Sequence, residues 1–431
     1  MFLSNLRILE ENFRRNTVAI ISVLVYNFFM KKSIIILILV GICQVYSAEQ
    51  DITRITISAI GDIMAHIDMQ DYALLQSNTF VSLYKDVAEL FEYDDLTIGN
   101  LETPVSDKLP VRGYPTFNAP SSFISSLKAV GVDLLTTANN HSIDQGSSGI
   151  VDTIEVLKKH EIPFSGTGLN IEDSYRFIFL NIHGIRIGFL GITCLTNIPQ
   201  PKETGVPTFN FVPYWVQADY DKLVAKINEA RTQADLIILA IHEGEEYKSF
   251  PRKATETLYE KLCEVGVDVI LGHHPHVLQR IEMRELKDGR RGLIAYSLGN
   301  FISAQARYAP YLEKGDNSVY DNWLSKTAEG VVLRFDVVKQ GDRITVADPR
   351  VVPFFNVCFR AEENKKHNTG YQINFFDVIL DRNNAQRLPF AKNYEIIRKL
   401  AEYRLTKLKE LIGVRLSDKK SEIETRAAKK I

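Results

Sequence analysis

Cysteine is scarce in this chain, with four residues among 431. Cys43 lies in an apolar stretch near the start, whereas Cys194, Cys263 and Cys358 are far apart in the sequence. Three widely separated cysteines are not the pattern of a disulfide framework or of a thiolate metal cluster. We therefore predict that they are small buried hydrophobic residues.

An excess of charge of one sign is also missing. The formal net charge is −2, so the composition provides no overall attraction to nucleic acid or to an anionic membrane surface, and no nucleic-acid partner is expected. Hydrophobic residues make up 45% and charged residues 24% of the chain, as in ordinary soluble globular proteins. Internal repeats and low-complexity linkers are absent, and the length allows one large domain or two.

The first fifty residues differ from the rest. Residues 30–48 combine two lysines, an apolar run at 34–42 and a small-residue cleavage site, which is the layout of a secretory signal peptide. The run is shorter than the roughly 20 residues that span a bilayer. We therefore expect export to the periplasm or the cell exterior, with residues 1–29 as an upstream extension. The alternative is an anchor on the outer face of the cytoplasmic membrane, because residues 17–29 are also apolar.

From residue 52 onward, short apolar strands alternate with helices. Segments such as 52–60 and 235–244 are rich in aliphatic residues and end at polar loops, whereas 149–161 has the apolar spacing of an amphipathic helix. This alternation predicts an α/β fold with a sheet buried on both faces. Residues 303–328 lack periodicity and are expected to form an ordered loop over the site. The end, from about residue 389, is helical and charged, which is typical of a solvated chain end.

Polar side chains lie just beyond the C-terminal ends of five predicted strands. They are Asp62, Asn100 with Glu102, Asn139 to His141, His242, and His273 to His276. In open α/β sheets, ligands bind in the crevice beyond the carboxyl ends of the strands. The five strands are therefore expected to bring carboxylate, amide and imidazole groups to one edge.

Each of these residues alone has an ordinary structural explanation. A strand-end Asp or Asn commonly forms a turn or caps a helix, and a single histidine such as His242 is more often structural than a ligand. His274 and His276 differ, because H-x-H in an extended segment places both imidazoles on the same side. Together with the neighbouring carboxylates they favour a metal site, and donors without thiolate suit Mn, Zn or Fe. His273 is expected to pack against the fold or hold the loop.

The number of donors favours two divalent ions. Six or seven ligands exceed the requirement of one tetrahedral zinc, and two ions sharing them keep open positions for water. A dinuclear centre activates water at neutral pH and clamps the oxygens of an in-line displacement. That chemistry is hydrolytic and suits a phosphoester best, with a γ-glutamyl amide as the second substrate class.

Six motifs, in this order along the chain, resemble the CapA family of poly-γ-glutamate capsule synthesis proteins. That family is similar to the calcineurin-like metallophosphoesterases, so the resemblance implies a four-layer α/β/β/α sandwich. It also implies a CapA-like domain at 52–355, followed by a C-terminal extension at 356–431 with a helical charged tail. The motifs are GDIMAH (61–66), GNLETPV (99–105), ANNHSIDQG (138–146), IHEGEEY (241–247), GHHPHVLQ (272–279) and YSLGNF (296–301).

The resemblance implies roles for particular residues. His141 would contact the substrate oxyanion or protonate the leaving group, and Asp144 would orient His141. Met64 departs from the metallophosphoesterase pattern, which has a histidine there, so either His66 takes that role or the first metal loses a ligand. Glu102 stands where that pattern has a bridging aspartate. The implied metal ligands are Asp62, His66, Glu102, Asn140, His242, His274 and His276.

Two functions remain open from the sequence. One is an exported metal-dependent phosphoester hydrolase that takes part in capsule or poly-γ-glutamate biosynthesis. The other is a non-catalytic accessory protein that binds an anionic polymer within a membrane capsule-synthesis complex. The nearly complete ligand set favours the hydrolase, and the capsule role of the family favours the accessory protein.

Overall fold

The computed structural model describes residues 52–77, 79–201, 203, 205–359 and 369–430. The upstream extension predicted at 1–29 and the signal peptide or anchor predicted at 30–48 lie outside the described residues. No helix in those ranges is both long and apolar enough to cross a membrane.

The strands are short, apart from three long ones that lie side by side in one sheet. In chain order they are β1 (Ile52–Ile63), β2 (Leu96–Leu101), β3 (Leu134–Thr136), β4 (Phe164–Ser165), β5 (Thr167–Gly168), β6 (Ile178–Ile182), β7 (Ile185–Thr193), β8 (Thr208–Phe209), β9 (Leu236–His242), β10 (Val269–His273), β11 (Ile281–Glu285), β12 (Arg291–Ala295), β13 (Asn300–Ile302), β14 (Glu329–Gln340), β15 (Arg343–Phe359), β16 (Gly370–Phe375) and β17 (Arg415–Leu416).

Helices separate most of these strands, as the alternating pattern predicts. They are α1 (Ile67–Ser77), α2 (Val81–Phe91), α3 (Ser121–Ala129), α4 (Gly146–Lys159), α5 (Ile171–Ser174), α6 (Gln217–Arg231), α7 (Lys253–Val265), α8 (Ala309–Glu313), α9 (Trp323–Lys326), α10 (Phe376–Leu380), α11 (Tyr394–Leu411) and α12 (Lys419–Lys430).

Within the described residues the strands form two large sheets and one small pair. The first sheet has nine strands in the order β16-β15-β14-β1-β2-β3-β4, with β13 paired to β1 and β17 to β15. The second has six strands in the order β11-β12-β10-β9-β7-β6, and β5 pairs with β8. Strands β1 to β4 are parallel, as are β7, β9, β10 and β12. Parallel strands end at the same edge of a sheet, so each large sheet presents one edge of carboxyl ends.

The two large sheets pack face to face, with helices on their outer faces. Gly191 on β7 approaches β3 so closely that a Cβ there would lie 2.1 Å from the Thr136 hydroxyl. Ile238 faces the core between the sheets, whereas its neighbour Ile237 faces a second core formed with α6 and α7. Helices α1 to α4 add their apolar sides to the core of the first sheet. The predicted four-layer α/β/β/α sandwich is therefore confirmed.

The C-terminal part joins the same architecture. The boundary predicted after residue 355 falls inside β15, and β16 and β17 extend the first sheet. The end of the chain is helical, but it differs from the expected solvated end because Glu422 on α12 is only 4% exposed. Its carboxylate accepts a hydrogen bond of 2.9 Å from Nε of Arg350, a buried residue of β15.

The three cysteines of the described ranges, at positions 194, 263 and 358, are buried and free, as predicted.

Candidate metal centre

The carboxyl ends of strands from both sheets meet at one place. Asp62, near the end of β1, pairs in register with Asn100 of β2 and with Asn300 of β13. In the second sheet, His242 and His273 are the paired last residues of β9 and β10. All of these side chains are buried, so the fold holds a polar cluster inside an otherwise apolar core.

Two glycines allow the backbone to close around this cluster. A Cβ at Gly61 would lie 1.9 Å from the carbonyl oxygen of Gly299, and one at Gly272 would lie 2.1 Å from that of Tyr296. Both distances are far shorter than a carbon–oxygen contact allows. Glycine is therefore required just before Asp62 and His273, because any side chain there would push apart the strands that carry the polar groups.

Asp62 accepts hydrogen bonds from four neighbours. Nδ1 of His273 donates over 3.0 Å, Nδ1 of His276 lies 3.1 Å away, and the Asn100 amide donates over 2.8 Å. The backbone N–H of His274 donates over 3.3 Å. Burial alone would raise the pKa of Asp62, but the hydrogen bonds from the two histidines hold it well below its usual value. Asp62 is therefore an ionised, oriented carboxylate.

Glu102 has a different environment. It is fully buried, and its Oε1 has no hydrogen-bond partner among the described residues. This oxygen lies 3.5 Å from Nε2 of His242 and 3.8 Å from Nε2 of His276. Burial, followed by the negative charge of Asp62, raises the pKa of Glu102 well above its usual value. A buried oxygen without a partner is destabilising, and a cation between Glu102 and the imidazoles would remove that penalty.

The imidazoles of the cluster suit metal coordination. Nε2 of His242 lies 2.7 Å from Oδ1 of Asn140 and 3.1 Å from Nδ1 of His274. Burial, and next the nearby His276, lowers the pKa of His274 to about 3, and burial also lowers the pKa of His242. Neutral imidazole is the form that binds metal ions, so these two side chains need not lose a proton to become ligands.

The His-Pro-His segment does not have the extended conformation on which its prediction relied. His274 and His276 have φ of 98° and 57°, both in the left-handed region. Their ring centroids are 5.9 Å apart, so both still belong to the cluster. The predicted extended conformation was wrong, because β10 ends at His273 and the chain bends there, whereas the two imidazoles do lie together as predicted. Left-handed non-glycine residues are strained and persist where surrounding contacts hold them, often at functional sites.

Two groups of potential ligand atoms emerge from this geometry. In each group the atoms lie within 4.8 Å of one another, and Glu102 belongs to both. One group contains His274 and His276, and the other contains Asp62 and His242. Buried carboxylate and imidazole donors at this spacing, together with the unpaired Glu102 oxygen, fit a divalent cation.

His66 lies beside these groups and belongs to neither of them. Its Nδ1 accepts a hydrogen bond of 3.4 Å from the Ala304 backbone, and its ring packs edge-on against Phe117. Burial, followed by the positive charge of Arg307, lowers the pKa of His66 to about 3. His66 therefore contacts the segment 303–328 and does not join either ligand group, unlike the other histidines predicted to bind metal.

His141 and Asp144 form the predicted pair. Nδ1 of His141 donates to Oδ2 of Asp144 over 2.7 Å, and the same oxygen accepts the backbone N–H of Phe117 over 2.8 Å. The Phe117 ring packs edge-on against the imidazole at 4.7 Å between centroids. These contacts fix the ring orientation and assign the proton to Nδ1, which leaves Nε2 as the atom available to exchange a proton.

Asn100 and His273 both donate hydrogen bonds to Asp62, a role that the sequence did not identify. Asn100 orients Asp62 and also donates to Nδ1 of His242 over 3.3 Å. Its own oxygen accepts from the Asn139 amide over 3.2 Å. The available signal was positional, because Asn100 lies one residue before the end of β2 and His273 ends β10, and these strands neighbour those of Asp62 and His242.

The chain is similar to bacterial proteins that are named for capsule or poly-amino-acid synthesis. The family model described as "Bacterial capsule synthesis protein PGA_cap" matches residues 56–305. Capsule biosynthesis protein CapA of Bacillus anthracis is 30% identical over 261 residues, which cover 58% of this chain and 60% of that protein. PGA biosynthesis protein CapA of Bacillus subtilis is 28% identical over 284 residues, covering 65% and 70%. A Mycobacterium tuberculosis protein named "Probable polyglutamine synthesis accessory protein" is 24% identical over 221 residues, covering 48% and 55%.

Proposed function

The chain belongs to the bacterial capsule synthesis protein family, which confirms the predicted CapA relationship, and from this premise we propose that it is a metal-dependent phosphoester hydrolase of capsule or poly-γ-glutamate synthesis. The observation that carries the proposal is the environment of Oε1 of Glu102. It is a buried carboxylate oxygen without a hydrogen-bond partner among the described residues, and it lies between two imidazoles. A cation is the partner that suits this position.

We propose two divalent ions, of Mn, Zn or Fe, because the two ligand groups share Glu102. Asn140 supplies a further oxygen beside His242. Bound ions would supply Lewis-acid polarisation of a phosphoryl oxygen and an activated nucleophile. The protein contributes a buried polar cluster, an ionised Asp62 and, in His242 and His274, imidazoles that are already neutral.

His141 is proposed to protonate the leaving oxygen or to bind the developing oxyanion. Asn140 and His141 are adjacent in one turn, so the amide beside His242 and the imidazole are positioned together. Asp144 would stabilise the imidazolium that forms when Nε2 carries a proton, because its carboxylate accepts a hydrogen bond from Nδ1–H in both protonation states of the ring.

The cellular setting is part of the proposal. Residues 30–48 have the layout of an export signal, and two relatives carry capsule or PGA biosynthesis in their names. We propose that the chain acts outside the cytoplasm, free or anchored to the outer face of the membrane. Its partner would be a membrane capsule-synthesis complex that handles an anionic polymer.

Metal analysis and a phosphatase assay test the proposal together. We expect the purified full-length protein to retain Mn, Zn or Fe and to hydrolyse an aryl phosphate, with activity lost on chelation and restored by the metal. A folded protein that binds no metal and hydrolyses no phosphoester would contradict it. That outcome would leave the accessory role, which the name of the Mycobacterium relative and the loss of histidine at Met64 would then favour.

Replacing His141 by asparagine separates proton transfer from metal binding. We expect kcat to fall by about 100-fold, the lower range for loss of a general acid or base, while the metal content stays at the wild-type level. The measurement is kcat on an aryl phosphate together with elemental analysis of the same preparation. His160→Asn serves as the control, because His160 ends α4 outside both ligand groups. An unchanged kcat in His141→Asn would remove His141 from the mechanism.

A further inference from the structure

Tyr247 is held beside the proposed metal ligands in a strained conformation. Its φ is 65°, and its backbone N–H donates to the Pro275 carbonyl over 2.8 Å. Pro275 lies between His274 and His276, so this bond ties Tyr247 to the bend that carries both imidazoles. A left-handed non-glycine residue persists only where its surroundings over-determine it, which makes Tyr247 a candidate functional residue.

Side-chain contacts connect Tyr247 to the site on a second path. Nε2 of Gln305 donates to the Tyr247 hydroxyl over 3.4 Å, and Oε1 of Gln305 accepts from the Asn300 amide over 2.9 Å. Oδ1 of Asn300 in turn lies 3.1 Å from Nδ1 of His276. The ring centroid of Tyr247 is 6.3 Å from that of His276. The phenol is thus positioned by the same residues that position a proposed ligand.

Trp323 packs beside Tyr247, and the two rings form one aromatic surface that is exposed at Trp323. Its ring centroid is 5.2 Å from that of Tyr247, and the side chain remains 46% exposed. The side chain of Asn322 caps the short helix α9 by accepting a hydrogen bond from the Leu324 N–H over 2.9 Å. This cap holds the start of the helix, where Trp323 is the first residue. An indole face that is positioned but open to solvent, next to a buried polar centre, is available for stacking on a bound group.

The charges near this surface narrow the class of that group. Glu245 and Glu246 precede Tyr247 and are exposed. Glu245 lies 3.4 Å from the Lys248 ammonium, whereas the charge of Glu246 contributes to the raised pKa of Glu102. The carboxylate of Glu246 at this side disfavours a second acidic moiety of the substrate. An uncharged ring is therefore the group that suits the aromatic side chains of Tyr247 and Trp323.

We infer that Tyr247 and Trp323 form a stacking wall that binds an uncharged ring in the leaving group of the substrate. This inference rests on the proposed phosphoester hydrolysis and names its substrate class: a phosphate ester whose alcohol carries a planar or sugar-like ring. Tyr247 and Trp323 position the alcohol, and they take no part in proton transfer.

Tryptophan fluorescence tests the wall without requiring turnover. The chain has two tryptophans, so Trp215→Phe leaves Trp323 as the sole reporter. Benzyl phosphate, added to this variant with its metal bound, is expected to change the emission saturably, whereas methyl phosphate should leave it unchanged. No response to benzyl phosphate, or equal responses to both esters, would overturn the inference.

Kinetics on the same two esters give the second readout. Trp323→Ala should lower kcat/KM for benzyl phosphate by roughly 3- to 10-fold, the range of one aromatic contact, and leave methyl phosphate unaffected. Trp215→Ala is the matched control, since Trp215 is also exposed, at 62%, and packs beside Tyr214. An equal loss for both esters would refute the wall while leaving the hydrolase proposal standing. If the wild type hydrolyses neither ester, the hydrolase proposal fails and the fluorescence titration alone decides the wall.

Discussion

Replacing His274 by alanine will remove metal from the protein and lower phosphoester hydrolysis to the level of the metal-free wild type. His274 belongs to a ligand group with Glu102 and His276, and its nitrogen lies 3.1 Å from His242. Loss of a residue that merely supports a ligand lowers metal affinity by about 10- to 100-fold, so loss of a ligand should exceed about 100-fold. Asp62→Ala should have the same effect, because Asp62 belongs to the other group. Elemental analysis and kcat/KM on an aryl phosphate measure both.

A histidine outside the cluster serves as the control for His274→Ala. His160→Ala provides it, because that imidazole lies at the end of α4 and belongs to neither ligand group. We expect its metal content and activity to match the wild type. Full metal retention in His274→Ala, with a normal circular dichroism spectrum, would show that the ion binds elsewhere and would refute the proposed centre.

Replacing Glu422 by glutamine will destabilise the fold by about 3 kcal/mol, although this residue is nine positions from the chain end. Glu422 accepts from Nε of Arg350 at 2.9 Å and from the Ser417 hydroxyl at 2.7 Å. Its Oε2 also lies 3.6 Å from Arg334, whose side chain is fully buried. Removing the carboxylate would leave positive charge buried without its full complement of negative charge, and such losses typically amount to 3–5 kcal/mol. Urea unfolding at pH 7 measures the difference.

The same variant has a predictable pH dependence. Burial alone would raise the pKa of Glu422, but hydrogen bonds from Ser417 and Arg350 lower it below its usual value. A carboxyl whose pKa is lower in the folded state stabilises the fold above its unfolded pKa of about 4.3 and loses that contribution as the pH falls through the folded value. The stability difference between wild type and Glu422→Gln should therefore be full at pH 7 and shrink below about pH 4.

Glu424→Gln is the matched control on the same helix. Glu424 is exposed and lies 3.8 Å from the Lys420 ammonium, so its removal should change stability by less than about 0.5 kcal/mol. Equal effects of the two substitutions would mean that the buried ion pairs do not anchor α12. Unchanged stability in Glu422→Gln would lead to the same conclusion.

The positions of the candidate ligands were largely predictable from the sequence. Asp62 and His242 each end an apolar, β-branched run, and a run of that kind in an alternating pattern predicts a buried parallel strand. Because parallel strands end at a common edge, spacing alone was enough to expect their side chains to meet. The four-layer arrangement required more information and came from the resemblance of the motifs, because periodicity does not reveal how two sheets pair.

Local conformation was less predictable. His274 and His276 reach the cluster through a left-handed bend, and single-residue spacing has no signature for that geometry. Trp323 lies in a segment without periodicity, so its contact with Tyr247 could not be read from the sequence. The sequence around Glu422 has the pattern of an ordinary charged helix, because a mixed-charge pattern is the same whether a carboxylate faces water or a buried arginine.

The sequence by itself determined the donor chemistry: two carboxylates, an amide and several imidazoles placed after apolar strands, without thiolates. Backbone hydrogen bonding and hydrophobic periodicity are local, and they were sufficient to place those residues at strand ends. Only the tertiary structure decided that Glu102 belongs to both ligand groups, that Asn100 orients Asp62, and that Glu422 neutralises buried arginines. Those relationships join residues from 38 positions apart, for Asp62 and Asn100, to 174 positions apart, for Glu102 and His276, and they depend on how sheets and helices pack in three dimensions.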